Sequence, residues 1–176
     1  MAKKDNEVKA IEELGLVFGE ELEQTNEEKF DLPSYKVELK DLDNDDIYTG
    51  KPILCPPSTF TFTDKTTGKK ETRHNCCLWL VDKDEDEYLE IVINLKNEGM
   101  IQENIYPQSK LYPLLKGVMN MKYGVGSDLF DEKKVIDKVN LETVISWCEE
   151  FPKMSIRVEE KTGKFIYNTF HVIEPQ

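Results

Sequence analysis

The side chains best placed for chemistry in this chain are cations interleaved with rings. Lys65, Lys69 and Lys70 stand in one glycine-containing turn, and Lys161 and Lys164 flank another. Arg73, Trp79, Arg157 and Tyr167 fall on the extended segments that lead into or out of those turns. Cations neutralise phosphate and release its counterions, and a flat ring stacks on any base, each stacked base contributing on the order of 1–3 kcal/mol. Covalent chemistry has less material. His74 and His171 have no Asp or Cys at a spacing that makes a nucleophile–base pair, and there is no glycine-rich phosphate loop. Neither catalysis nor a cofactor is expected.

Metal chemistry fares no better. Asp41–Asp45 and Asp82–Asp86 both open like a calcium loop, whose sixth position should be Gly and whose twelfth should be Glu. Here those positions hold Asp46 and Pro52 in the first case and Glu87 and Ile93 in the second. The four cysteines, Cys55, Cys76, Cys77 and Cys148, contain no C-x-x-C pair, and adjacent Cys76 and Cys77 must point to opposite faces of any strand. A site of Cys55, His74 and Cys76 is the one alternative the spacing leaves. Buried thiols in a reducing compartment are the expectation, with neither a zinc site nor a disulfide framework.

The elements that must carry these side chains follow from periodicity. Met154, Ile156 and Val158 alternate with Ser155, Arg157 and Glu159, and Lys161-Thr162-Gly163 reads as a hairpin loop. If Glu160 faces Lys164, Val158 meets Ile166 and Met154 meets Phe170 on a core face, while Arg157 meets Tyr167 and Ser155 meets Thr169 on the other. Asn168 then falls in phase with the core and needs a bulge or a backbone hydrogen bond to excuse it.

Upstream, Ser58–Thr63, Glu71–Val81 and Tyr88–Leu95 read as three meandering strands. Pairing Val81 with Tyr88 aligns Leu80 with Leu89, Leu78 with Ile91 and Cys76 with Ile93, and leaves Arg73, Asn75, Cys77 and Trp79 on the outer face. Phe60 and Phe62, paired with His74 and Thr72, are expected inside. Pro107–Tyr123 has helical spacing, with Ser109 as cap and Gly124 as stop. A polar loop from Gly124 to Lys138 leads to a second helix capped by Asn140. Tyr35–Leu39 is a further strand candidate, and Val8, Ile11, Leu14, Phe18 and Leu22 outline a short amphipathic helix or a frayed tail.

Charge divides the chain. Residues 1–50 hold six lysines against fifteen acidic residues, a net charge of −9. Residues 51–176 hold seventeen basic against twenty acidic residues, only −3 of the total −12. The acidity is concentrated in a tail and in the turn Asp82–Glu87, so the remaining loops are neutral to basic. With no apolar run of the roughly 18–20 residues a membrane span needs, a cytoplasmic protein with no membrane partner is expected.

Three strands, a helical insertion and a two-stranded hairpin form the element order of a five-stranded Greek-key OB barrel, with the helix between strands 3 and 4. The expected fold is therefore mainly β with helices. Residues 1–50 form an acidic N-terminal extension, partly disordered or helical, and 51–176 the barrel domain. Phe60-Thr-Phe62 running into a Gly-Lys hairpin, and Gly163-Lys-Phe-Ile-Tyr-Asn168 opening the last strand, resemble the small OB-fold single-stranded DNA-binding proteins of phages and of archaeal or bacterial replication systems, over roughly residues 51–173.

The resemblance implies binding of single-stranded DNA, or RNA, in replication, recombination or repair. OB folds bind strands across strands 2 and 3, between the loops joining strands 1–2 and 4–5. Those loops here hold Lys65, Lys69, Lys70, Lys161 and Lys164, at the end of the barrel away from the carboxylate cluster. Arg73, Trp79, Arg157 and Tyr167 lie between them. The competing readings are that Trp79 and Tyr167 are covered by the N-terminal arm or second helix, and that the barrel face and the acidic arm dock a protein, such as a replication or recombination partner. An acidic mimic of DNA is disfavoured by the near-neutral body.

Overall fold

Alternation of apolar and polar side chains builds most of this molecule, and two short amphipathic helices close its core. The computed structural model describes residues 31–125, 130–131 and 133–175. The chain divides into two compact units, 1–32 and 33–176. Every element below belongs to the second, and the amphipathic pattern from Val8 to Leu22 lies outside the described residues.

In order, the strands and helices are β1 (Tyr35–Glu38), a 3₁₀ turn (Leu39–Asp41), β2 (Ile47–Leu54), β3 (Ser58–Thr63), β4 (Lys70–Asp82), β5 (Glu87–Leu95), β6 (Ile101–Ile105), α1 (Leu111–Tyr123), β7 (Ile136–Asn140), α2 (Leu141–Glu150), β8 (Met154–Thr162) and β9 (Ile166–Ile173). One seven-stranded sheet has the order β1-β5-β4-β2-β8-β9 with β3 also on β4, and β6 and β7 form a separate ribbon. Only β1, against β5, pairs in parallel in the large sheet. Among the described residues this is a mainly β protein with two helices. The expected five strands become nine, and the hydrogen-bonded strands do not close into a ring among the described residues.

The long strand β4 organises the rest. Its register with β5 is the expected one, Val81 opposite Tyr88 through Cys76 opposite Ile93. Cys76, Leu78 and Leu80 meet Leu89, Ile91 and Ile93 in the core, each fully buried aliphatic side chain contributing about 1.5–3 kcal/mol. Its other edge serves two partners in turn. Leu78–Val81 pair with β2, and Lys70–Asn75 pair with β3. The Pro56-Pro57 break separates those partners, because proline donates no hydrogen bond to a ladder.

β2 is not among the expected strands, and its composition explains why. Gly50 and Pro52 inside eight residues read as strand breakers, yet β2 is central, between β4 and β8. Gly50 is required there: a Cβ at this position would lie 2.7 Å from the backbone of Leu80 and Val81. The sheet consequently begins before residue 50, and β1 and the start of β2 lie within the stretch expected to be an extension. β6 and β7 are likewise additions, β7 occupying the end of the segment read as a polar loop.

α1 lays Leu111, Leu114, Leu115 and Val118 into the core and ends at Gly124, as its spacing predicts. Ser109 accepts a hydrogen bond from the Leu111 amide at 3.1 Å. The helix reaches β9 because Gly117 has no side chain, since a Cβ there would stand 2.3 Å from Val172 Cβ. α2 is capped by Asn140, whose side chain accepts from the Glu142 amide at 3.0 Å, and buries Leu141, Val144 and Cys148. Its far end is held by Lys51 of β2. The Lys51 ammonium donates to the carbonyls of Cys148 (3.2 Å), Glu149 (2.7 Å) and Phe151.

Two registers differ from expectation. The final hairpin turns at Gly163–Phe165, so Val158 faces Phe170, Arg157 faces His171 and Lys161 faces Tyr167. The offset is even and preserves each side chain's face, but it moves Ile166 from the core to the exposed tip. Asn168 remains in phase with the core, and its amide donates to the carbonyls of Leu39 (3.0 Å) and Leu42 (2.9 Å). The β3–β4 ladder differs by one residue: Phe60 faces Arg73 and Phe62 faces Glu71. A one-residue slip reverses every side chain, so both phenylalanines lie on the outer face with Arg73 rather than inside.

Candidate nucleic-acid interface

The outer face of β4 splits into two unlike halves. Toward the Asp82–Glu87 turn, Trp79 is only 6% exposed. Its indole N–H donates to Glu90 at 3.0 Å, and Tyr88 meets it edge-on with ring centroids 6.5 Å apart. Glu90 also lies 3.7 Å from Lys36. Trp79 therefore presents no free face to a ligand, which corrects the expectation that it stands on an open surface beside Arg73.

The other half is open. Arg73 is exposed, with its guanidinium 4.8 Å from the centre of the Phe62 ring. The Phe60 ring, 43% exposed, lies 6.1 Å from that of Phe62. Next along β3, Thr59 links to His74 at 2.8 Å and donates to Glu98 at 2.9 Å. The turn beyond, Asp64–Lys69, carries exposed Lys65 and Lys69, with Lys70 beginning β4. It is held by the Asp64 amide on the Lys69 carbonyl (2.9 Å) and the Gly68 amide on the Asp64 carbonyl (2.8 Å). The outer face thus offers an arginine and two rings, with Glu71 opposite Phe62, and the exposed lysines of the turn adjoin it, although Lys70, opposite Thr63, alternates to the other face of β4.

The second predicted group sits on the β8–β9 hairpin. Arg157 and Tyr167 share one face, as expected, although they do not pair directly, and Lys161, expected in the loop, lies on that face in β8 opposite Tyr167. Lys161 lies 2.9 Å from Glu159, and His171 bonds the other oxygen of that carboxylate. Lys161 foremost holds the Glu159 carboxyl below its ordinary range against the opposing effect of burial, and His171 adds to the lowering. Lys164 is exposed in the loop, beside Phe165 and Ile166 at 72% and 71% exposure.

The two groups approach one another through Tyr167. It lines a cleft of about 400 Å³ together with Asn94, Leu95 and Lys96 of the β5 end, and Asn94 stands opposite Asn75 on β4, two residues from Arg73. Phe60 and Phe62 are the site residues that strand reading alone misplaces. Alternation in Ser58–Thr63 puts both on one face, but the six-residue turn does not specify which.

The thiols sort by the same geometry. Cys76 and Cys148 are fully buried, and burial pushes both up to about 12. Cys55, just past the end of β2, and Cys77 of β4 are neighbours, the Cys77 amide donating to Cys55 Sγ at 2.8 Å. Among the described residues no cluster of three or more His, Cys, Asp or Glu is arranged to hold a metal. No helix there is long and apolar enough to cross a membrane.

No protein-family model matches this chain, and neither a curated protein nor a solved structure does.

Proposed function

We propose that this protein binds single-stranded DNA without catalysing a reaction on it, on the open outer half of β3, β4 and β5. The observation that carries the reading is the Arg73 guanidinium over Phe62 with Phe60 beside it, next to a turn bearing Lys65, Lys69 and Lys70. Stacking rings beside cations suit a strand whose bases are unpaired. Strand order supports an OB-type arrangement. With β2 and β3 taken as one interrupted strand, β5-β4-β2-β8-β9 reads 3-2-1-4-5, and α1 falls between the third and fourth. The loops at the binding end are then the two lysine-bearing turns. A role in replication, recombination or repair accords with such binding, and the acidic first residues suit a basic protein partner.

The test is fluorescence anisotropy of a labelled single-stranded oligonucleotide of about 30 nucleotides, titrated at two salt concentrations with unlabelled duplex as competitor. Sub-micromolar, salt-sensitive binding that duplex does not displace supports the reading; no binding at low salt overturns it. A protein-docking module is the second reading, and the exposed Phe165–Ile166 tip favours it. Association through that tip weakens little as salt rises, which separates the two.

A further inference from the structure

Tyr167 stands between two clefts rather than at the margin of one. The first, about 400 Å³, holds Lys96, Tyr106 and Lys110 beside the end of β5. The second, about 490 Å³, runs between α1 and β9 and holds Lys116, Asn120 and Arg157. Gln108 and Tyr167 line both, so the clefts form one trough. Five cations (Lys96, Lys110, Lys116, Arg157 and Lys161) line it against two carboxylates, Glu103 and Glu159. That is a positive concavity on a chain of net charge −12.

Lys116 and Arg157 make no ion pair among the described residues. Lys110 is half-buried, and desolvation lowers its pKa; an anion beside it offsets that cost. Each cleft has the volume of a small-molecule site, about 300–1,000 Å³, and so accommodates a nucleotide.

We propose that a single strand bound on β3, β4 and β5 continues into this trough, its phosphates held by Lys110, Lys116 and Arg157 and a base stacked on Tyr167. This rests on the strand-binding reading above and deepens it: α1 belongs to the binding surface as well as to the core. The strand follows the sequence of side chains from Phe62 and Arg73 past Asn75 and Asn94 to Tyr167, and then between α1 and β9. Trp79, behind Glu90, is off this path.

The full chain, with Lys110→Gln and Lys116→Gln singly and together, tests the path by anisotropy across a salt series. Each lost phosphate contact reduces the slope of log affinity against log salt by about 0.7 for a single strand. The double variant is expected to bind about tenfold more weakly at low salt, while Lys116→Arg retains the wild-type slope. A 5-iodouracil oligonucleotide is expected to cross-link to Tyr167 under ultraviolet light. Binding that depends on Arg73 but keeps its affinity and slope in the double variant, with no cross-link at Tyr167, overturns the trough and leaves the outer-face reading standing. Absence of binding by the wild-type protein overturns both.

Discussion

Arg73 over Phe62 is a weak contact by itself, about 0.5–1 kcal/mol for an exposed cation on a ring. Its value is positional: it holds a charge and a flat surface where a phosphate and a base are joined in the ligand. Phe62→Ala is therefore expected to weaken single-strand binding by about 1–3 kcal/mol, roughly fivefold to 150-fold. Trp79→Phe, by contrast, leaves affinity unchanged and lowers the urea midpoint, since it deletes the indole donor to Glu90. Oligonucleotide anisotropy and urea unfolding on the same two variants distinguish ligand surface from covered surface. A third residue-level effect comes from pH. The Cys76 and Cys148 thiols are raised to about 12 in the fold, against about 8.5 in the unfolded chain. Their contribution is fully present below about pH 8.5 and is lost as pH rises toward 12, by up to about 1.4 kcal/mol per pH unit for each thiol. Urea unfolding at pH 7.5 and 9.5 should show that decline, and Cys148→Ala should flatten it.

β2 is the element on which the architecture turns. It joins the β4–β5 side of the sheet to the β8–β9 hairpin, and it carries the lysine that holds the C-terminus of α2. Lys51→Met removes an ammonium from three helix-end carbonyls and is expected to cost about 1–3 kcal/mol, read from urea unfolding. α1 depends on a close approach to β9 of the same kind. Gly117→Ala forces a methyl group against Val172, and overpacking of this sort typically costs about 1–3 kcal/mol. The helix moves away from β9 to relieve it and widens the cleft beside Tyr167. Lower thermal stability together with weaker strand binding is the expected pair of readouts. Asn168 ties β9 to the 3₁₀ turn after β1 through two carbonyls, which explains a polar residue in a core-phase position.

Across the molecule, charge is sorted by place. The Asp82–Glu87 turn and β1 lie at one end of β4; the lysines of the β3–β4 turn lie at the other. This polarity lets a chain of net charge −12 present a surface for phosphate, because a screened field is local over about a nanometre at ordinary salt. Residues 1–30 add four lysines against nine acidic residues. If that segment competes with phosphate for the basic surface, deleting it tightens single-strand binding at low salt, with the difference shrinking as salt rises. Unchanged affinity and salt slope in the deletion variant remove the competition hypothesis.

Local pattern is enough for the β4–β5 ladder, both helices, the Asn140 cap and the shared face of Arg157 and Tyr167. In each case a repeated period or a short turn restricts the answer. Four things were not available locally. The β3–β4 register depends on a six-residue turn that tolerates a one-residue slip, and that slip moved Phe60 and Phe62 to the outer face. The final hairpin turned two residues later than expected, exposing Ile166. β2 is a strand because neighbours on both sides satisfy its backbone, despite its Gly50 and Pro52. Trp79 is covered although its alternation assigns it to the outer face. Alternation tells which side chains share a face; only the packing of non-local segments tells whether that face meets water, because burial depends on what the rest of the chain lays against it.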